Sequence, residues 1–126
     1  MRFKELEYNV IKWANKKDLI ENGNSYAQYA KFLEEGTEIL VAMNKFNELL
    51  KTAADLDVTN GKQLEAYRIK DKAIHNELVD GLGDTLVTLI ILAAQYGLEL
   101  EDCLEYAYNE IKDRTGKTVG GTFIKD

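Results

Sequence analysis

Two groups of carboxylates, spaced for helical faces, are the residues of this sequence best suited to chemistry. They are Glu34, Glu35 and Glu38, and Glu77, Asp80 and Asp84. Residues three or four apart lie on one side of a helix, so each group presents its carboxylates together. Like charges at that spacing destabilise a helix unless something neutralises them. Each group therefore needs a partner of opposite charge.

The surroundings of both groups favour a bound cation over an ordinary solvated face. Apolar residues flank the first group, which places it at the margin of a buried stripe. No Lys or Arg lies between Lys72 and Lys112, so the second group has no cationic partner nearby in the chain. Gly81 and Gly83 interrupt it, and a glycine inside a helix costs about 1 kcal/mol relative to alanine. That cost suggests close packing or room for a ligand. If the two helices pack antiparallel, a hard divalent cation such as Mg²⁺ would relieve the repulsion.

The helices that must position these acids follow from hydrophobic periodicity. It predicts four main helices, at about residues 2–17, 25–50, 72–96 and 101–114. Ser25 with Gln28 has the spacing of a capping box, and Gly97 is placed to end the third helix. Asn60 and Gly61 predict a turn within a connection over residues 52–71, which holds at most a short helix at 63–69.

The predicted fold is all-α, a helical bundle with four main helices in a single domain, residues 1–126. Residues 117–126 form a C-terminal arm. The stretch from Leu86 to Ala94 is apolar on every side, so it must be covered all round. In a chain of 126 residues this predicts assembly through the long apolar helix into a dimer or a dimer of dimers. The fourth helix is expected to offer the core Leu104, Ala107, Tyr108 and Ile111.

Composition excludes several classes of protein. A net charge of −6 argues against binding nucleic acid through a basic face. Charged residues among the first twenty argue against a signal peptide, and no apolar run is long enough for a membrane span. We therefore expect a cytoplasmic protein. Cys103 and His75 are the only residues of their types, which argues against a disulfide, a zinc cluster and the paired Glu-x-x-His of a di-iron bundle.

The order of the acidic residues resembles a known family. Glu34-Glu35-x-x-Glu38, followed by an acidic pair ending in Gly83-Asp84, is similar to the EExxE…ExxD pattern of all-α nucleotide pyrophosphohydrolases. The stretches 77–87, 97–100 and 109–117 resemble the MazG-like branch in particular, and the resemblance covers about residues 8–117. One position departs from the pattern, because Gly81 stands where the family has an acid. Asp80 or Glu77 would then take that role.

The resemblance implies an Mg²⁺-dependent enzyme, with Mn²⁺ as a possible substitute, that converts nucleoside triphosphates to monophosphates and pyrophosphate. Glu35, Glu38, Asp80 and Asp84 would hold the metal, helped by Glu34 and Glu77. Glu38 or Glu35 would orient or deprotonate the attacking water. The remaining residues would bind substrate: Lys31, Lys112 and Arg114 at the phosphates, Asn109 at the base or sugar, and Trp13 stacked on the base.

Two alternatives stay open at this point. Because Gly81 stands where the family has an acid, the chain could instead be a non-catalytic helical interaction module with a relict nucleotide or metal site. Within the enzyme class, phosphoribosyl-ATP is a possible substrate, ranked below nucleoside triphosphates because of the pattern in the fourth helix.

Overall fold

The computed structural model describes residues 1–126 and is mostly helical, with four helices and one short hairpin. These elements are α1 Phe3–Lys16, α2 Ser25–Ala53, α3 Gly61–Gln95, α4 Leu100–Ile111, β1 Gly116–Val119 and β2 Thr122–Lys125. The four predicted helices are confirmed. No helix combines the length and apolar character that a membrane span requires.

Side-chain caps set two helix starts that were predicted differently. Asn24, not Ser25, caps α2, because its Oδ1 accepts hydrogen bonds from the two backbone N–H groups of Tyr26 and Ala27. Asn60 likewise caps α3 by accepting from the N–H groups of Lys62 and Gln63. The predicted connection over residues 52–71 is therefore wrong in its second half. Asn is common both in turns and at helix N-caps, so its type did not distinguish the two. Here Asn60 is the N-cap of a helix of 35 residues.

The long helices α2 and α3 pack side by side and antiparallel. Three contacts give their register: Gln28 to Thr88, Ile39 to Gly81, and Lys45 to Glu77. Residue numbers rise along α2 as they fall along α3, which is what antiparallel packing requires. A Cβ added at Gly81 would lie 3.0 Å from Cγ1 of Ile39, so this glycine lets the two helices approach closely. Gly83, in contrast, faces open space.

The shorter helices flank one end of this pair. α1 and α4 contact each other and α3, and neither contacts α2. Gly97 follows α3 with a φ of +71°, a conformation that glycine adopts without strain, and its predicted role in ending the helix is confirmed. The fourth helix ends at Ile111, before the predicted residue 114, and Gly116 begins β1. The hairpin turns at Gly120 and Gly121 and makes no contact with the helices.

The interior of the single chain is small. Only 10 of 126 residues are buried, and among them are two carboxylates, Glu7 and Glu35. The apolar stretch at 86–94 is largely covered within the chain, because Ile90 and Ile91 are buried and most of its neighbours are half-buried. The prediction that α4 offers apolar residues to the core is wrong for one chain, since Leu104 remains 64% exposed.

Candidate functional site

The acids of α2 and α3 meet along the contact between these helices. Ile39 faces Gly81. Glu35 lies one turn before Ile39 in α2, and Asp84 lies one turn after Gly81 in α3. Because the helices are antiparallel, both steps lead in the same direction, and Glu35 and Asp84 come to the same level on facing sides.

Glu35 is the acid with the most unusual environment. Its side chain is 10% exposed, and its Oε1 lies 3.2 Å from the ammonium nitrogen of Lys31. Its second oxygen, Oε2, is buried with no hydrogen-bond partner. A buried carboxylate oxygen without a partner is costly, because burial removes the water that would solvate it. The structure therefore holds a desolvated, unsatisfied negative group where α2 faces α3.

Glu38 lies one turn along α2 and interacts strongly with Glu35. A side-chain hydrogen bond to Glu35, together with the negative charge of that carboxylate, raises the pKa of Glu38 above its usual value of 4.5. This hydrogen bond exists only while Glu38 holds a proton, because two ionised carboxylates have no hydrogen to share. With both ionised, the two carboxylates repel each other.

Lys31 is the one cation within this group of acids. Its ammonium lies 3.5 Å from Glu34 and 3.2 Å from Glu35, and the hydrogen bond to Glu35 is the main reason that its pKa is raised. One positive charge faces three glutamates of the same helix, so the group keeps a negative excess. The predicted phosphate-binding residue is thus held at the predicted metal ligands.

The acids of α3 fall in different positions. Glu77 and Asp84 share with Gly81 the side of α3 that faces α2, as the steps of four and three residues require. Asp80 precedes Gly81 by one residue, which rotates its side chain by about 100° around the helix. Asp80 and Asp84 are exposed and form no ion pair.

Glu77 has a cationic partner from another helix, although no Lys or Arg lies near it in the sequence. Both of its oxygens accept hydrogen bonds from Lys45 of α2, at 3.0 and 3.1 Å. The search for a partner along α3 alone missed this pair because Lys45 lies 32 residues away in the chain. Only the antiparallel packing of the two helices brings it to Glu77.

The acids do not converge on one point in this structure. No group of three or more Asp, Glu, His or Cys side chains is close enough to hold a metal ion. The donors nevertheless suit a hard divalent cation, because they are carboxylate oxygens and one of them is buried without a partner. Mg²⁺ often takes only one or two carboxylates from a protein and completes its shell with water and phosphate oxygens.

Four predicted substrate-binding residues lie away from the acids. Trp13 is half-exposed on α1, while Asn109, Lys112 and Arg114 are exposed at or just beyond the end of α4. The side chains of these last three form no hydrogen bond or ion pair, which leaves them free to bind a ligand. Within one chain α4 does not contact α2, so the structure does not bring them to Lys31.

Glu7 of α1 is a buried carboxylate, 2% exposed, that was not among the residues predicted from the sequence. Its oxygens accept hydrogen bonds from the backbone N–H groups of Leu100 and Glu101, at 2.6 and 3.4 Å. These N–H groups open α4, whose own preceding residue, Glu99, provides no side-chain cap. Glu7 therefore caps α4 from a different helix. The sequence feature that could have indicated its burial is its position in α1, at helical spacing with the apolar residues Phe3, Val10 and Ala14.

Comparison with protein-family models, with curated proteins and with solved structures gives no match.

Proposed function

We propose that this protein is an Mg²⁺-dependent nucleoside triphosphate pyrophosphohydrolase that cleaves the α–β bond. The observation that carries the proposal is the buried, unsatisfied oxygen of Glu35, held beside Glu38 and at the level of Asp84. A cation placed here would satisfy that oxygen and remove the repulsion between Glu35 and Glu38. The order of acids in the sequence, which resembles the MazG-like pattern, supplies the reaction and the substrate class.

The metal-binding residues would be Glu35, Glu38 and Asp84, with Asp80, Glu34 and Glu77 around them. Bound Mg²⁺, or Mn²⁺ in its place, would supply electrostatic stabilisation of the negative charge that develops on the phosphates. Glu77 would also keep Lys45 in place through their ion pair.

Glu38 is the residue best suited to accept the proton of the attacking water. It lies one turn along α2 from the buried Glu35, so it could reach a water bound to a cation at that residue. Water adds to phosphorus, the bond between the bridging oxygen and one phosphorus breaks, and the monophosphate and pyrophosphate separate. The proton released by the water is taken up by Glu38, whichever of the two phosphorus atoms is attacked.

Lys31 would change partners when substrate binds. In the structure its ammonium neutralises Glu34 and Glu35. A divalent cation at Glu35 would compete with that ion pair and free the ammonium for a phosphate oxygen. Lys112 and Arg114 would bind further phosphate oxygens, with Asn109 and Trp13 at the nucleoside. Because α4 is separated from α2 in one chain, we propose a homodimer or homotetramer as the functional form.

A panel of ribo- and deoxynucleoside triphosphates, scored by pyrophosphate release with Mg²⁺ or Mn²⁺, tests this proposal. We expect at least one substrate to be hydrolysed, and Glu38→Gln to lose activity by about 100-fold or more, as expected for loss of a general base. Glu21→Gln, at an exposed loop acid, is the matched control and should retain full activity. Absence of pyrophosphate release from every nucleotide would refute the enzyme proposal.

A second candidate is a non-catalytic module with a relict site. It is favoured by Gly81 at the family's acid position and by the lack of convergence among the acids. Calorimetry with Mg²⁺ and a non-hydrolysable triphosphate separates the two. Binding without any turnover of the hydrolysable nucleotide would support the relict site.

A further inference from the structure

A long groove opens between the C-terminal part of α2 and the N-terminal part of α3. It has a volume of about 920 Å³ and extends over residues 41–56 and 63–74, which we call the docking groove. Its apolar surface comes mainly from Val41, Leu49, Leu56, Ala66, Tyr67 and Ile74. Exposed apolar surface on this scale is unusual on a chain that functions as a monomer.

An apolar stripe on α4 is also without a partner. The α4 stripe consists of residues at helical spacing on one side of the helix: Leu100, Cys103, Leu104, Ala107, Tyr108 and Ile111. No residue of α4 is buried, and Leu104, Tyr108 and Ile111 are between 53% and 64% exposed. An amphipathic helix of this kind is stable when its apolar side is covered.

The chain as a whole has more accessible surface than a compact monomer. Its accessible area is 9739 Å². A compact monomer of 126 residues is expected to have about 6,800 Å², which leaves an excess of roughly 2,900 Å². A standard protein–protein interface buries about 800 Å² on each partner, so the excess is sufficient for one or more stable interfaces. Association with another copy would cover it.

We propose that the docking groove of one chain binds the α4 stripe of a second copy, and that the exchange is reciprocal. The lengths match, because α4 has 12 residues and each wall of the groove is lined over a stretch of similar length, about 18 Å. The chain's own α4 cannot fill the groove. It begins beyond the far end of α3, and the 22 residues from Ile74 to Gln95 span about 32 Å of helix.

The length and the uncovered apolar stripe of α4 identify it as the occupant, and Lys70 can face its acids. α4 carries four acids and no basic residue: Glu101, Asp102, Glu105 and Glu110. Two basic and two acidic residues line the groove, and of the two basic ones only Lys70 is in no ion pair within the chain: Lys45, Lys70, Glu48 and Asp55. Because the docking groove and the α4 stripe are both uncovered on one chain, a two-fold arrangement is favoured, in which each copy gives α4 and receives α4. This inference does not depend on the proposed function.

The single native cysteine provides the test, because Cys103 lies on the α4 stripe. Ala66→Cys adds one thiol to the groove. In the full chain under mild oxidation, we expect Ala66→Cys to form a covalent dimer with two disulfides, each joining Cys103 of one copy to the introduced thiol of the other. Three matched proteins should give no such dimer: the unmodified chain, Ala66→Cys with Cys103→Ser, and Ala27→Cys, which adds an exposed cysteine outside the groove.

Sedimentation gives an independent measurement. Leu104 is largely exposed in one chain, so Leu104→Glu should keep the helical circular dichroism of the native chain. Its dimer dissociation constant should rise by on the order of tenfold or more, because a buried leucine contributes about that factor. Lys70→Glu should weaken association, and Glu105→Lys added to it should restore part of the affinity.

Two outcomes would overturn the docking proposal. A chain that stays monomeric at every concentration reached has no docking partner of its own kind. A dimer could also form without the disulfide between Cys103 and the introduced thiol and be unaffected by Leu104→Glu. Such a dimer would use another surface. If the disulfide forms but the native chain releases pyrophosphate from no nucleotide, the result would instead count against the proposed function alone.

Discussion

Removal of the Glu7 carboxylate should loosen α4 and destabilise the whole chain. Glu7 is 2% exposed, and its oxygens accept from two backbone N–H groups at the start of α4. In Glu7→Ala the part-buried N–H groups of Leu100 and Glu101 lose their acceptor. Loss of a helix cap costs about 0.5–2 kcal/mol, and an unsatisfied buried donor about 1–3 kcal/mol.

Because these N–H groups are only part-buried, we expect a loss of about 2 kcal/mol, within the range of these two effects. For a chain of 126 residues this corresponds to a fall in Tm of about 8 °C. Glu7→Gln keeps an acceptor oxygen but loses its charge at the helix N-terminus, so it should lose only about 0.5–1 kcal/mol. A larger loss of stability in Glu7→Ala than in Glu7→Gln would show that the acceptor oxygen of residue 7 caps α4.

The assay is thermal unfolding at one fixed protein concentration, since association shifts Tm. Hydrogen exchange of the α4 amides should be faster in Glu7→Ala, beginning at Leu100. Glu5→Ala, at an exposed acid on the same helix, is the control and should unfold within about 0.5 kcal/mol of the native chain. If Glu7→Ala had the Tm of the native chain and the same hydrogen-exchange rates in α4, Glu7 would not stabilise α4.

Three further predictions concern residues of α2 and α3. Gly83→Ala should stabilise the chain by about 0.5–1 kcal/mol in chemical denaturation, because its Cβ meets open space and alanine favours helix; a loss of stability would contradict this. Gly81→Ala should destabilise it by about 1 kcal/mol despite the same gain in propensity, because the new Cβ meets Ile39 at 3.0 Å; equal stability of the two alanine variants would contradict the close approach. Glu38 has a raised pKa, so the folded state binds its proton more tightly and loses stability as pH rises above about 4.5 through the folded pKa. In metal-free buffer, Glu38→Gln should therefore gain Tm relative to the native chain as pH rises from 4 to 7, and a constant difference would show that Glu35 does not perturb it.

Local sequence determined the helices and the residues they present. A 3.6-residue repeat, the absence of proline and a glycine at residue 97 were sufficient to predict four helices and where the third one ends. The spacing of the acids was likewise sufficient to place Glu35 and Glu38 on one side of α2. These features depend on residues within one or two turns of each other, so they can be recognised without the fold.

Only the tertiary structure decided which residues from different helices meet. Glu7 is buried to cap α4, and Lys45 neutralises Glu77. Each outcome depends on the register between helices that are far apart in the chain, and periodicity within one helix carries no information about that register. The same reason explains why α4, amphipathic in sequence, could not be assigned a partner before its exposed stripe and the distant groove were seen together.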